Sequence, residues 1–177
     1  MASLGHVAVG MALGRRYARN HPVQQQRWAF LALSALALLP DADVVAFRLG
    51  IPYSAPWGHR GASHSLVFAA LLALGVALAV RATGGRGARA GLFAFLALGS
   101  HGLLDTLTDG GLGAALLWPF SQGRYFAPLR PLPVSPIGAG MLSSRGLYVV
   151  TVELLLFLPF WAYALWPRRR AVQPVEG

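Results

Sequence analysis

Cysteine is absent from this 177-residue chain, and so is lysine. The first absence excludes disulfides and thiolate metal ligands. The second leaves the formal net charge of +9 entirely to arginine. Charge as a whole is scarce: 12% of residues carry it, and only six are acidic. A soluble domain carries about twice that share. Apolar residues make up 55%, and mean hydropathy is +0.53. A pI near 11.4 raises the possibility of nucleic-acid binding. Here, however, the arginines flank apolar runs instead of forming a basic face interleaved with aromatics, which favours a lipid bilayer over nucleic acid as partner. The N-terminal stretch places its positive charges after its apolar residues, the reverse of a secretory signal, and is read as part of the mature chain.

Five apolar segments follow one another. Leu4 to Leu13 is short. Trp28 to Leu39 continues past Pro40 to Phe47. Ser65 to Val80, Ala90 to Leu107 and Leu147 to Trp166 complete the set. The last is long enough to cross a bilayer unaided. The pattern predicts an all-α integral membrane bundle of about four transmembrane helices plus a short N-terminal helix, one domain over 1–170, and a cytoplasmic tail at 171–177. With four crossings, Arg15, Arg16, Arg19, Arg27, Arg81, Arg86, Arg89 and Arg168 to Arg170 share one side, which the positive-inside rule makes cytoplasmic. That predicts a multi-pass protein of a bacterial inner membrane with its C-terminus in the cytoplasm.

Against this apolar background the acids and histidines are grouped. Asp41 and Asp43 lie in LLPDAD, His59 and His64 in HRGASH, and His101, Asp105 and Asp109 in HGLLDTLTD. Ionisable residues within membrane segments are costly and mark functional sites by default. At 1.5 Å of rise per residue, Asp41, Asp105, His64 and Glu153 all lie roughly 20–25 Å from the arginine end, with His6 and His101 at about 14–17 Å. One layer in the outer half of the membrane therefore predicts one site, and it draws in His6 and Glu153.

Each motif has a plainer reading beside it. His101, Asp105 and Asp109, at i, i+4 and i+8, line one helix face with Thr108; a polar stripe satisfied by neighbouring helices has the same pattern. Asp41 and Asp43 follow Pro40, which interrupts a helix; they are either water-solvated at a loop edge or neutralised by a cation, because adjacent carboxylates otherwise repel. His59 converges with His64 only from a loop, with Gly61 supplying the turn and Ser63 the cap of the next helix. Arg60 then suits a phosphate or, equally, the headgroup layer. His6 is either a hydrogen-bonded core histidine or a ligand. Glu153 has either an arginine partner or a place in the site.

GHVAVGMALG, LLPDAD, HRGASHSL, HGLLDTLTDGG and LLWPFS, in that order, resemble the bacterial inner-membrane metal-dependent hydrolases of the SOS-repressor-regulated type. More distantly, the chain is similar to the zinc-dependent phospholipase C and P1 nuclease superfamily. His6, Asp41, Asp43, His59, Arg60, Ser63, His64, His101 and Asp105 stand at the motif positions. The resemblance implies a membrane-bound hydrolase using one or two divalent ions, zinc foremost. His101 and Asp105 match the superfamily's His-x-x-x-Asp pair, whereas Val149 stands where a second histidine would precede Glu153.

The expected metal ligands are thus His6, Asp41, His59, His64, His101, Asp105 and Asp109. Asp43, Arg60 and Glu153 are the expected catalytic or substrate-holding groups. The expected substrate is a phosphoester of a lipid or lipid-linked molecule, since a site at this depth is nearer to headgroups than to free nucleic acid. Two alternatives stand beside this: a non-catalytic protein whose metal ties helices together, and an ion or proton conductor. The nearly pure apolar runs toward the arginine side argue against conduction. Oligomeric state is left open.

Overall fold

The computed structural model describes residues 3–136 and 138–167. Arg168 to Arg170 and the expected tail at 171–177 lie outside the described residues. Seven α-helices occur among the described residues: α1 (Leu4–Tyr17), α2 (Val23–Leu38), α3 (Val45–Arg48), α4 (Leu66–Ala82), α5 (Gly87–Thr106), α6 (Ser144–Leu156) and α7 (Leu158–Leu165). Short 3-10 turns stand at Leu39–Val44, Ala62–His64 and Gly138–Leu142. The chain forms no strand among these residues, only two isolated bridges, Thr108 to Leu132 and Ala114 to Tyr125, within the long loop after α5.

Small residues set the packing. A Cβ on Gly10 of α1 would lie 2.6 Å from Ser34 Cα of α2, so the α1–α2 hairpin closes at backbone contact. With no apolar contrast between lipid and side chain, such close approach is what holds membrane helices together. Leu33, Ala37 and Ala97 join α2 to α5, flanked by Leu13, Tyr17, Leu36 and Phe93. The outward faces are apolar, as the exposure of Leu31, Leu71, Leu74, Leu78, Leu92 and Leu155 shows.

Two helical stretches, Val23–Arg48 and Gly87–Thr106, are long and apolar enough to cross a membrane, and α6 with α7 makes a third if counted as one broken span. Helix α4, at 17 residues, is a shorter apolar helix. The segment at Leu147 to Trp166, expected to cross as a single helix, is instead bent by 62° between α6 and α7. Pro159, in the first turn of α7, lacks the N–H that a continuous helix would need there.

The two ends of the bundle differ in chemistry. At one, Arg15 Nη1 donates to the Ala164 and Trp166 carbonyls, and Arg89 Nη2 donates to the Tyr17 carbonyl. At the other end, α2 gives way at Pro40 to a 3-10 turn, α4 starts, and α5 stops. That convergence of chain ends positions the site.

Candidate metal centre

Three elements deliver four candidate ligands to one point. Asp41 comes from the 3-10 turn after α2, His64 from the turn before α4, and His101 with Asp105 from the last turns of α5. Their nearest atoms all lie within 4.8 Å of one another. His64 Nε2 is 3.1 Å from His101 Nε2, 3.3 Å from Asp105 Oδ2 and 3.6 Å from Asp41 Oδ1. His101 Nε2 is 3.3 Å from Asp41 Oδ1 and 3.9 Å from Asp105 Oδ2. A tetrahedron with bonds of 2.0–2.2 Å has edges of about 3.3–3.6 Å. The spacing therefore fits a four-coordinate ion held by two imidazoles and two carboxylates. Close helix approach makes it possible: a Cβ on Gly102 would sit 2.2 Å from the His64 carbonyl oxygen.

Hydrogen bonds decide which imidazole atoms face inward. His101 Nδ1 lies 2.6 Å from the Ala37 carbonyl, an acceptor, so this nitrogen carries the proton. His64 Nδ1 lies 3.2 Å from Asp43 Oδ2 and takes the same role. In their neutral forms both rings then aim Nε2 lone pairs at each other and at two carboxylates. Four acceptors cannot meet in a buried space without a cation between them. Without a metal that cation is a proton: burial alone would lower His64, but Asp105, Asp41 and Asp43 push it up to about 10.

Asp43 backs this set and does not join it. Its Oδ2 accepts from Ser63 Oγ at 2.5 Å and the Arg60 backbone N–H at 3.1 Å, besides facing His64. Its Oδ1 lies 2.6 Å from His59 Nδ1. A carboxylate behind a ligating histidine fixes its tautomer and raises its basicity. His59, expected among the ligands, belongs with Asp43 and His64 in a second group that shares His64 with the first. With Nδ1 against Asp43, its Nε2 is left for other work.

Three expectations are corrected. Asp109 is not in the site: α5 ends at Thr106, and Asp109 is half exposed, accepting from the Val134 N–H with Arg145 3.9 Å away. The i+8 position was lost because the helix stopped before reaching it. Glu153 is fully buried but accepts from the Gly5 N–H at 3.1 Å, holding the first turn of α1. Ser65, not Ser63, caps α4. Gly61 serves the turn as expected, since a Cβ there would lie 2.2 Å from the Pro56 carbonyl oxygen, and Arg60 beside it takes the left-handed conformation at φ 60°. His6 lies beside the four ligands, stacked on His101 at 3.7 Å between ring centroids and 3.8 Å from Asp105 Oδ1. Neither of its nitrogens has a hydrogen-bond partner among the described residues.

Arg60 is buried and turned toward Asp105. Its Nε lies 3.1 Å from Asp105 Oδ2, an ion pair without hydrogen-bond alignment. Its Nη1 donates to Thr108 Oγ1 and the Gly110 carbonyl.

The family of the YdjM inner membrane protein matches over residues 1–171. The chain belongs to the YdjM inner membrane protein family. It is 39% identical over 173 residues to the inner membrane protein YbcI of Escherichia coli (strain K12), covering 93% of this chain and 94% of YbcI. No solved structure matches. Membership places this YdjM-family chain in the inner membrane, as its arginine-flanked apolar runs had indicated.

In this YdjM-family protein a cleft of about 350 Å³ leads to the cluster, bounded by Asp41, His59 and Arg60 on its polar side and by Val44, Val134 and Met141 on its apolar side. Tyr53 and Gly111 also line it. Sequence reasoning passed over both, and over Arg124, which donates to the carbonyls of His59, Tyr53 and Ala55 and fastens their loop. The DGG turn at 109–111 was the one signal pointing to Gly111.

Proposed function

We propose that this protein is a membrane-embedded, metal-dependent hydrolase of phosphoesters carried on lipid or lipid-linked molecules. The observation that carries the reading is the approach of His64 and His101 Nε2 to 3.1 Å beside Asp41 and Asp105, at the foot of a cleft. Asp41, His64, His101 and Asp105 would hold one divalent ion, zinc by donor set and spacing. Val149, fully buried, brings no histidine to support a second pair. Likeness to the phospholipase C and P1 nuclease superfamily rests only on the His101–Asp105 spacing.

A bound ion of this kind supplies Lewis acidity and an acidified water. The chain's own residues supply the rest. Asp43 fixes His64 as a ligand and, by engaging the Nδ1 of His59, leaves Nε2 of that cleft-lining residue as the proton acceptor. Asp41, whose side chain is 26% exposed, is the ligand nearest to an incoming molecule. Arg60 steadies Asp105.

The proposed topology is four crossings, counting α2, α4, α5 and the bent α6–α7 pair, with the domain over 1–170 and the C-terminus in the cytoplasm. The site then faces the non-cytoplasmic side. Conduction is disfavoured by the apolar plug of Leu33, Ala37 and Ala97 between the site and the arginine end. A purely structural ion is disfavoured by the cleft that reaches the ligands. The test is a screen of lipid phosphoesters with purified protein, with and without chelator. Chelator-sensitive release of phosphate or headgroup is expected; release that ignores chelation overturns the mechanism.

A further inference from the structure

We infer that the floor of the cleft beside the cluster is a binding subsite for a phosphoryl anion, built from Tyr53, Arg60 and Gly111. The inference deepens the hydrolase reading and rests on it.

Gly111 has φ +83°, and a Cβ built there would lie 2.8 Å from Tyr53 Oη and 3.1 Å from Arg60 Nη1. The missing side chain therefore lets the phenol and the guanidinium close up against the 109–111 turn, and all three residues line the cleft. Arg60 is 2% exposed. Its Nη1 is spent on Thr108 and Gly110, and its Nε faces Asp105. Its Nη2, with two N–H groups, makes no hydrogen bond among the described residues. Nor does Tyr53 Oη, although the Tyr53 ring is fixed between Phe47 and His59. A buried guanidinium with an unused nitrogen and an unused hydroxyl, both on residues that line one cleft, present donors with no acceptor, which is the requirement of an oxyanion.

Charge tunes this subsite. Asp41, Asp43 and Asp105 set three negative charges near it, against one from Arg60. A divalent ion on the cluster brings that count to neutrality, so a phosphoryl group is held more tightly once the metal is in place and more weakly, by the same donors, without it. The phosphate of a lipid headgroup and free phosphate present the same oxygens, and Val44, Val134 and Met141 give the cleft an apolar flank that a lipid would use.

The experiment measures binding by calorimetry in detergent, with metal content determined on the same preparations. The two probes are inorganic phosphate and a short-chain phosphatidate. Metal-loaded protein is expected to bind at least one probe, with Tyr53→Phe weakening it about tenfold. Gly111→Ala should abolish binding, and both variants should retain metal. Binding of both probes supports a subsite for the shared phosphoryl group; binding of phosphatidate alone supports a lipid source, and of phosphate alone a free one. No binding of either probe, or binding indifferent to both substitutions, overturns the subsite. A wild-type preparation that takes up no metal sinks the hydrolase reading separately. In that preparation, probe binding that remains sensitive to Tyr53→Phe still supports the subsite, and its absence overturns it.

Discussion

His64 and His101 point their Nε2 atoms at each other across 3.1 Å, while their Nδ1 atoms are held by Asp43 and the Ala37 carbonyl. Two neutral imidazoles so arranged repel, and the pair makes physical sense around a cation. Replacing His64 or Asp105 by Ala should therefore abolish tight metal binding, read by elemental analysis of purified protein. Asp109→Ala should leave metal content at the wild-type level, because Asp109 is half exposed and engaged with Val134 and Arg145. Equal metal content in all three variants would show that the ion, if any, sits elsewhere.

Metal affinity should rise with pH. His64 must be neutral to ligate, yet its carboxylate neighbours push the metal-free imidazole up to about 10. Below that value the ion has to displace a proton, so each unit of pH gained should strengthen apparent binding by up to about tenfold. Competition titrations at pH 6, 7 and 8 measure the slope. A flat profile means that His64 is not a ligand.

The sequence made the site legible because lipid punishes ionisable residues, which reduced the candidates to a handful. Rise per residue then placed Asp41, His64, His101 and Asp105 in one layer, and the structure brings these four together. The end of the apolar run at Leu107 and the two glycines after Asp109 marked where α5 stops, but the i, i+4, i+8 spacing was carried past that end, so Asp109 was included wrongly. Glu153 was placed at the right depth, but the Gly5 backbone N–H that it accepts from leaves no sequence signature. Tyr53 lies on a loop whose course depends on three carbonyl contacts from Arg124 of another loop, which periodicity cannot reveal.

Gly102 is a packing requirement of the site. One added methyl would sit 2.2 Å from the His64 carbonyl oxygen and drive α5 from the 3-10 turn. Gly102→Ala should destabilise the protein by about 1–3 kcal/mol, read as a lowered thermal midpoint in detergent, and should weaken metal binding with it. Gly75→Ala, where a Cβ meets nothing within 4 Å, is the control and should be neutral or slightly stabilising.

Orientation follows from the arginine end. Arg15 and Arg89 are fastened to Trp166 and Tyr17 carbonyls there, opposite the cluster. A reporter fused after Gly177 should report a cytoplasmic location, and one inserted near Gly123, in the loop on the cluster side, a periplasmic one. The reverse pattern would turn the site toward the cytoplasm and remove outer-leaflet lipids as substrates.

His59 separates chemistry from metal binding. It shares Asp43 with His64, but its Nδ1 is already against that carboxylate at 2.6 Å, and the residue lines the cleft. If His59 accepts the proton in hydrolysis, His59→Ala should lower kcat by about 10²–10⁴-fold with metal content intact. Asp43→Asn should do more damage, because it also loosens His64: metal affinity should fall about 10–100-fold alongside turnover. Loss of metal in His59→Ala would instead make His59 a ligand. The pair of variants, each measured for metal and for kcat, distinguishes a histidine that moves protons from one that only holds the ion.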